Sequence, residues 1–413
     1  MSMPSIPSPT NTSEMQVLRP LGALERMYHL WSSRHPMHHC LTVQLDTPAD
    51  LAQWRRAVAA LRRRHPLLGA RVVEDSEEGP RFVLESDPDV TVLSTTAVTQ
   101  WTAVVAAELA VPLTQGRLFR ATVLPGGDTA VLVFGHEALD GRSAVEIAGE
   151  LPALLAGQAL PPLPLPPSRE ELLAASPHLQ EVLEAGPVAP PQEDPRLQVP
   201  AEIRPFDGIA PVVSALELDE EFTGRLRSRC RAERSTLHAA LVTALAQVVA
   251  VEQASDVVRV MSPIDVRGSL ETKHDLGLYI HVGRTLVAGG GAFWDTAREQ
   301  AAALASRRSA MATARAAAAQ TAFVGPRAGV GDAERLMTHG ALGLDVLVSN
   351  LGALPAVAGI RSLWGPSMLN QVVGEQVVGA LTMRDRLHLT CVSHDPTPDL
   401  LERAQEVLRA ALG

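Results

Sequence analysis

His136 and Asp140 stand four residues apart, between two glycines and directly after an apolar run. The run Val131–Phe134 predicts a β-strand, because its residues are apolar and include β-branched and aromatic side chains. Gly135 and Gly141 interrupt the pattern and predict a turn that carries the histidine and the aspartate. A neutral imidazole, with an ordinary pKa of about 6.5, accepts a proton from a hydroxyl or amine and returns it to a leaving group. The spacing therefore indicates general-base catalysis by His136.

Two roles are open for Asp140, which either holds the loop or sets the tautomer of the histidine. Gly141 fits a position that needs a positive φ or a close approach of the backbone. A non-catalytic alternative is an ordinary loop histidine beside an Asp-Gly turn. A zinc-protease motif is excluded, because it needs a second histidine where this chain has Asp140.

A second group of potential ligands precedes this stretch, namely His35, His38, His39 and Cys40. No second pair of cysteines or histidines follows at a spacing typical of a metal site. We therefore predict no metal site, and consider instead that some of these histidines line a substrate channel.

The composition of the chain limits the classes of function. Its 413 residues suggest two or three domains, and 46% hydrophobic residues with a mean hydropathy of +0.08 suffice for a large buried core. Only 3% of the residues are aromatic, so the core must consist mainly of Leu, Val and Ala. The formal net charge of −10 argues against general nucleic-acid binding.

The cysteines and the N-terminal segment predict the compartment. Cys40, Cys230 and Cys391 are far apart in the sequence, which favours a reducing compartment without disulfides. The segment 1–14 is polar and contains no apolar signal sequence, and the apolar helix predicted over Leu237–Val251 is too short to span a bilayer. We expect a cytoplasmic, monomeric protein with no transmembrane segment.

Strand and helix patterns alternate along the chain and predict an α/β fold. Thirteen of the 31 prolines lie between residues 160 and 211, a density that prevents continuous helix or sheet. We therefore predict an N-terminal lobe over 1–160, a proline-rich linker over 161–205 and a C-terminal lobe over 206–413. In the second lobe, the pattern predicts one long helix over Ala292–Gln320 and a strand over Ser367–Val373.

The stretch from His136 to Gly141 resembles the HxxxDG signature of the chloramphenicol-acetyltransferase-like superfamily. This group includes condensation domains, wax-ester synthases and polyketide-associated acyltransferases. Further segments resemble the superfamily in the same order along the chain: Pro20–Glu25, Arg64–Leu68, the PvDlR-like Pro263–Arg267 and the SNLG segment Ser349–Gly352. The chain looks most similar to the polyketide-associated (phthiocerol diester type) and wax-ester-synthase-like acyltransferases.

The resemblance implies two pseudo-symmetric lobes that form a V, with the active site in a tunnel between them. It also implies that Arg267 pairs with Asp140 and fixes the catalytic turn, which leaves His136 as the base. Ser349 and Asn350 could supply donors near the reacting carbonyl, but we favour the alternative that Asn350-Leu351-Gly352 is a plain strand-ending turn.

The function implied by the resemblance is acyl transfer from a coenzyme A or carrier-protein thioester to a small-molecule hydroxyl, which forms an ester. No bound cofactor is implied, since acyl-CoA or a phosphopantetheinyl acyl carrier protein is the donor substrate. Amide formation with an amine acceptor, and non-catalytic recruitment of a carrier protein, are the alternatives. Two departures bear on this choice: the DFGWG motif of plant acyltransferases is absent, and Gly135 replaces the first histidine of the condensation-domain HHxxxDG motif.

Overall fold

The computed structural model describes residues 16–74, 79–85, 92–94, 100–113, 116–185, 194–272 and 275–413. Strands and helices alternate over much of this length. The strands are β1 Val17–Pro20, β2 His38–Leu45, β3 Ala70–Val73, β4 Arg81–Leu84, β5 Val92–Ser94, β6 Phe119–Val123, β7 Thr129–Gly135, β8 Val212–Leu218, β9 Val257–Asp265, β10 Ile280–Ala288, β11 Val346–Leu354, β12 Ile360–Ser367, β13 Gln376–Met383 and β14 Arg386–Ser393. The α-helices are α1 Ala23–Ser32, α2 Leu51–Arg64, α3 Trp101–Leu109, α4 Gly141–Gly149, α5 Leu151–Leu155, α6 Arg169–Ala174, α7 Pro177–Glu184, α8 Glu220–Ala232, α9 Leu237–Gln253, α10 Phe293–Ala305, α11 Ala310–Phe323, α12 Val330–Leu336 and α13 Leu400–Leu412.

The first large sheet has five strands in the order β12-β2-β7-β6-β5. Strand β7 lies in its centre and is buried along its whole length, as its continuous apolar sequence requires. Helix α2 packs an apolar face with Trp54, Val58 and Leu61 into the core of this lobe, while its arginines lie on the other face. The central position of β7 gives the turn after it a rigid support.

The second large sheet has six strands in the order β10-β9-β11-β13-β14-β8. Helix α9 is apolar on nearly all sides and packs against this sheet and against α10 and α13. Strands β9 and β11 are neighbours and run parallel, so both deliver residues to the same edge of the sheet.

One strand of the C-terminal half joins the sheet of the N-terminal half. Strand β12 pairs antiparallel with β2, for example Leu363 with Val43, and the chain then returns to the second sheet through β13. A third apolar cluster, with Leu24, Tyr28 and Met368 among its members, contains side chains from both halves. The lobe boundaries at 160 and 206 remain predictions from the sequence, but the two halves share a sheet and a core.

The proline-rich linker contains two helices, α6 and α7, and its first part is attached to both halves. The Leu163 amide donates to the Arg64 carbonyl at 2.8 Å, and the Arg19 guanidinium donates to the Pro166 carbonyl at 3.0 Å. From the other half, the Tyr279 hydroxyl donates to the Pro167 carbonyl at 2.6 Å. This part of the linker is therefore a packed connection.

Two predicted elements differ from the structure. The long helix over 292–320 is two helices, α10 and α11, separated by one turn of 3₁₀ helix at Ser306–Arg308, and the side chain of Ser309 caps the second helix. The segment has high helix propensity, but the Ser309 side chain bonds to a backbone amide at the start of α11 and so stabilises a new helix N-terminus instead of continuous helix. The strand predicted over 367–373 lies earlier, as β12, and its last residue is Ser367. The residues that follow turn back through a loop held by Glu375, whose carboxylate accepts hydrogen bonds from the Asn370 and Val372 amides.

Within the described residues, no single helix is long and apolar enough to cross a membrane. Helices α8 and α9 reach the required length and hydropathy only when they are taken together, and the chain bends by 102° between them.

Candidate active site

The turn after β7 places the predicted base at the junction of the two halves. Gly135 ends the strand, and its carbonyl accepts hydrogen bonds from the amides of Ala138 and Leu139 at 3.1 and 3.2 Å. The Asp140 amide donates to the Gly277 carbonyl of the C-terminal half at 3.1 Å. The turn is therefore held by its own backbone and by the opposite lobe.

The imidazole of His136 is held in one tautomer. Its Nδ1 lies 3.2 Å from the Leu139 carbonyl oxygen, which can only accept a hydrogen bond, so Nδ1 carries the proton. Nε2 then has a free lone pair, and it makes no hydrogen bond to the described residues. The ring lines a cavity between the lobes. This is the arrangement that a general base requires.

Burial keeps this imidazole neutral. The side chain is 7% exposed, and its burial lowers the pKa, an effect that the charge of Asp140 and the bond to Leu139 oppose without cancelling. Two rings pack on it: Tyr28 with ring centroids 4.6 Å apart, and His39 at 5.1 Å. The base is thus buried between two rings and stays in its proton-accepting form.

The lowered pKa predicts how activity depends on pH. Because the neutral form of His136 accepts the proton and burial lowers its pKa below 6.5, kcat/KM should decrease only below pH 6.5, where the free enzyme becomes protonated. A pH–rate profile measures this point. An acid limb at or above pH 6.5 would contradict the role of a buried base.

Asp140 and Arg267 form a buried ion pair, as the family resemblance implied. Two guanidinium nitrogens each lie 3.0 Å from a different carboxylate oxygen, and the side chains of Arg267 and Asp140 are only 7% and 2% exposed. The same carboxylate accepts hydrogen bonds from the Ser143 and Tyr279 amides, both at 2.9 Å. The Ser143 contact caps the N-terminus of α4.

These contacts use both oxygens of Asp140, so the carboxylate is not hydrogen-bonded to His136. Burial raises its pKa, but Arg267 and the amide hydrogen bonds outweigh this effect and hold the pKa below the ordinary value. Arg267 further donates to the Ser143 hydroxyl at 2.7 Å and to the Asp275 carbonyl at 3.1 Å. The pair connects the motif turn to the C-terminal half across 127 residues of sequence.

Gly141 permits a close approach and has no unusual φ, since its backbone is outside the left-handed region. A Cβ at this position would lie 3.1 Å from Cδ2 of Leu351 and 3.2 Å from Cγ of Pro366. Both of these side chains line the cavity and come from the other half of the chain. A glycine lets helix α4 begin directly against them.

Gly141→Ala should therefore destabilise the protein by about 1–3 kcal/mol, because a side chain is forced into a packed junction. Gly224→Ala is the matched control, since Gly224 lies in α8 and no neighbouring atom lies within 4 Å of the position that an alanine Cβ would take. This control should stabilise the helix by about 0.5–1 kcal/mol. Urea unfolding of both variants measures the difference. Equal effects of the two substitutions would contradict the close approach.

Ser349 and Asn350 both line the cavity, on β11. Ser349 is 9% exposed, while the Asn350 side-chain oxygen accepts a hydrogen bond from the Gly352 amide at 2.8 Å. The segment does not end the strand: the register with β13 shifts between Asn350 and Ala353, and β11 continues to Leu354. Asn350 therefore stabilises a bulge, and a contact of Ser349 with substrate remains a prediction.

The cavity contains about 640 Å³ of empty space, part of it open to solvent, and both halves of the chain line it. Sequence patterns did not identify Pro366 or Met368 as lining residues, because no local pattern relates them to the motif, and they did not single out Arg142, which directly follows it. His39 is one of the histidines considered for a channel wall, and it does line the cavity. The complete lining is His39, His136, Asp140, Gly141, Arg142, Pro263, Asp265, Arg267, Ile280, Ser349, Asn350, Leu351, Pro366 and Met368.

The other candidate ligands near His39 are separated by their own contacts. His35 lies 3.3 Å from a Glu334 oxygen, His38 lies 2.9 Å from the Glu108 carbonyl oxygen, and Cys40 is buried. In the part of the chain that the structure describes, no three His, Cys, Asp or Glu residues form a group that could hold a metal ion.

Comparisons with known proteins bear on the fold. No protein-family model matches the chain, and a search of curated proteins finds no significant match. Among solved structures, polyketide synthase associated protein 5 from Mycobacterium tuberculosis superposes with a TM-score of 0.66 at 18% identity, over 96% of this chain and 98% of that protein. The first condensation domain of the CDA synthetase gives 0.66 at 16% identity, over 97% and 96% of the two chains. The condensation domain from the Monacolin K polyketide synthase MokA gives 0.61 at 14%, over 96% and 97%. The chain therefore has the chloramphenicol-acetyltransferase-like fold of the condensation domains, as its motifs predicted.

Proposed function

We propose that the protein is an acyltransferase that moves an acyl group from a coenzyme A or carrier-protein thioester to a small-molecule hydroxyl. The observation that carries this proposal is the state of His136. Its Nδ1 donates a hydrogen bond to the Leu139 carbonyl, while Nε2 has no hydrogen-bond partner among the described residues, and the ring lines a cavity between the lobes.

In the proposed reaction, Nε2 of His136 accepts the proton of the acceptor hydroxyl as its oxygen attacks the thioester carbonyl carbon. The new C–O bond forms while the carbonyl oxygen takes up negative charge. Collapse of this tetrahedral intermediate breaks the C–S bond, and the thiolate takes the proton back from the imidazolium. The ester and the free thiol leave, and the base returns to its neutral form.

Asp140 acts indirectly in this proposal. Its carboxylate is saturated by Arg267, Ser143 and Tyr279, so it neither accepts the proton nor touches the base. Its role is to hold the turn, so that the imidazole meets a substrate without rearrangement. This matches the structural role that the resemblance implied.

The fold supports the class of donor. Two of the similar structures are condensation domains, one from the CDA synthetase and one from a polyketide synthase. Together with the motif resemblance, which implies a thioester donor, this likeness of fold supports the proposal. Whether the donor is coenzyme A or a carrier protein is distinguished by the test below.

The test is release of free thiol from acyl-CoA and from acyl phosphopantetheinyl carrier protein, each with alcohols and with amines. Thiol release that depends on an alcohol, with the ester identified by mass spectrometry, is the expected result. Release that depends only on amines would replace ester formation by amide formation. No release from any pair of substrates would reject catalysis and favour non-catalytic recruitment of a carrier protein.

A further inference from the structure

His39 is a buried polar side chain without a partner. It is 1% exposed, and neither ring nitrogen has a hydrogen-bond partner among the described residues. Burial lowers the pKa of this imidazole well below 6.5, so it is neutral and has one N–H donor and one acceptor nitrogen. Buried polar atoms are nearly always paired, and an exception calls for an explanation.

The location of His39 indicates what pairs with it. In the register of β2 and β7 it lies opposite Phe134, and the two rings stack with centroids 5.4 Å apart. The imidazole also packs against the ring of His136 in a T-shaped arrangement, with centroids 5.1 Å apart. Both imidazoles line the same cavity. A group that reacts at His136 therefore lies in the cavity that His39 also lines.

Other buried histidines of the described residues have partners. Nε2 of His38, the preceding residue of β2, lies 2.9 Å from the Glu108 carbonyl oxygen. Nε2 of His65 lies 2.8 Å from a carboxylate oxygen of Glu150. Among the described residues, every other buried histidine has at least one bonded nitrogen, and His39, on the cavity wall, lacks a partner for both.

We propose that His39 binds substrate, and that its ring N–H donates a hydrogen bond to the oxygen of the reacting acyl carbonyl. This inference rests on the proposed acyl transfer. A nucleophile that His136 deprotonates must lie about 3–3.5 Å from the carbonyl carbon, which brings the carbonyl oxygen to the neighbouring imidazole. The oxygen becomes negative in the tetrahedral intermediate, so the hydrogen bond strengthens there, and the N–H keeps its proton.

His39→Phe tests the hydrogen bond, because phenylalanine keeps a ring that stacks on Phe134 and removes both nitrogens. We expect the kcat of thiol release to fall about 100-fold, the effect of removing one donor to an oxyanion. His39→Gln restores an amide donor and should be faster than His39→Phe. A loss of less than about tenfold in His39→Phe, or a Gln variant no faster than the Phe variant, would overturn the inference.

His38→Phe is the matched control, because it makes the same change on the opposite face of β2, where the side chain bonds to Glu108. Its turnover per folded molecule should equal that of the wild type. An active wild type with an equally active His39→Phe variant overturns this inference alone, whereas an inactive wild type overturns the proposed function.

A second measurement does not depend on turnover. The ¹⁵N signals of the wild-type histidines are followed while a ketone analogue of S-octanoyl-N-acetylcysteamine, with CH₂ in place of sulfur, is added. His39→Gln assigns the signal of His39. A shift of that signal on saturation supports the contact, and an unchanged signal at the solubility limit of the probe overturns it.

Discussion

His136→Asn should abolish acyl transfer and leave the protein folded. Asparagine can still donate to the Leu139 carbonyl, as Nδ1 of the histidine does at 3.2 Å, but it has no basic nitrogen. Removing a general base typically costs 10²–10⁴-fold in rate, and we expect kcat/KM to fall by about that factor. The loss should appear in thiol release with every acceptor that the wild type uses.

The control is His65→Asn. His65 is also buried, 5% exposed, but it pairs with Glu150 and does not line the candidate cavity. This variant should lose stability and keep its turnover per folded molecule. Thermal unfolding of both variants shows that activity is compared between folded proteins. Near-native turnover in His136→Asn would remove the base from the mechanism.

Arg267→Ala should have the largest effect on stability. The substitution leaves the Asp140 carboxylate buried without its counter-ion, and breaking a buried pair in this way costs about 3–5 kcal/mol. It also removes the donors to Ser143 and to the Asp275 carbonyl, so the turn that holds His136 loses its anchor. We expect a lower free energy of unfolding in urea, and lower kcat in the fraction that remains folded.

Arg259→Ala is the matched control for this prediction. Arg259 lies on β9, close in sequence to Arg267, and pairs with Asp345. Its pair is more exposed, with 24% and 15% of the side chains accessible, so solvent screening should limit the loss to about 1 kcal/mol. Comparable losses of unfolding free energy in the two variants would show that the Asp140–Arg267 pair contributes no more to stability than an ordinary, partly exposed ion pair.

The double variant Arg267→Ala with Asp140→Asn separates loss of the pair from the burial of an unpaired charge. Removing both charges should recover part of the stability that Arg267→Ala loses.

The pH dependence of stability has a defined sign. In the wild type the lowered pKa of Asp140 contributes stability above its unfolded pKa, and this is lost as the pH falls through the folded value. In Arg267→Ala the unpaired carboxyl favours protonation. The difference in free energy of unfolding between this variant and the double variant should therefore decrease as the pH is lowered.

Most of the elements were predictable from the chain, because each depends on neighbours within a few residues. The apolar run at Val131–Phe134 predicted β7, and the apolar segment Leu237–Val251 predicted α9. The break at Ser306–Arg308 was missed, because alanine-rich sequence favours helix on both sides of it. The bulge in β11 was missed for a related reason, since Asn350 and Gly352 also suit a turn that ends a strand.

The motif alone identified His136 as the candidate base, because an imidazole and a carboxylate on a glycine-bounded turn are a local pattern. Its burial and the pairing of Asp140 with Arg267 depend on residues far away in the sequence, and its tautomer depends on how the turn places the Leu139 carbonyl. The family resemblance anticipated that one pair, and nothing in the spacing of the residues did. The unpaired ring of His39 could not be foreseen, since a hydrogen bond is known to be missing only when every neighbour of the ring has been placed. Helices and strands follow from short-range periodicity in the sequence. Which side chains are buried, and which hydrogen-bond partners they find, is decided only when β12 joins β2 and the two halves enclose one cavity.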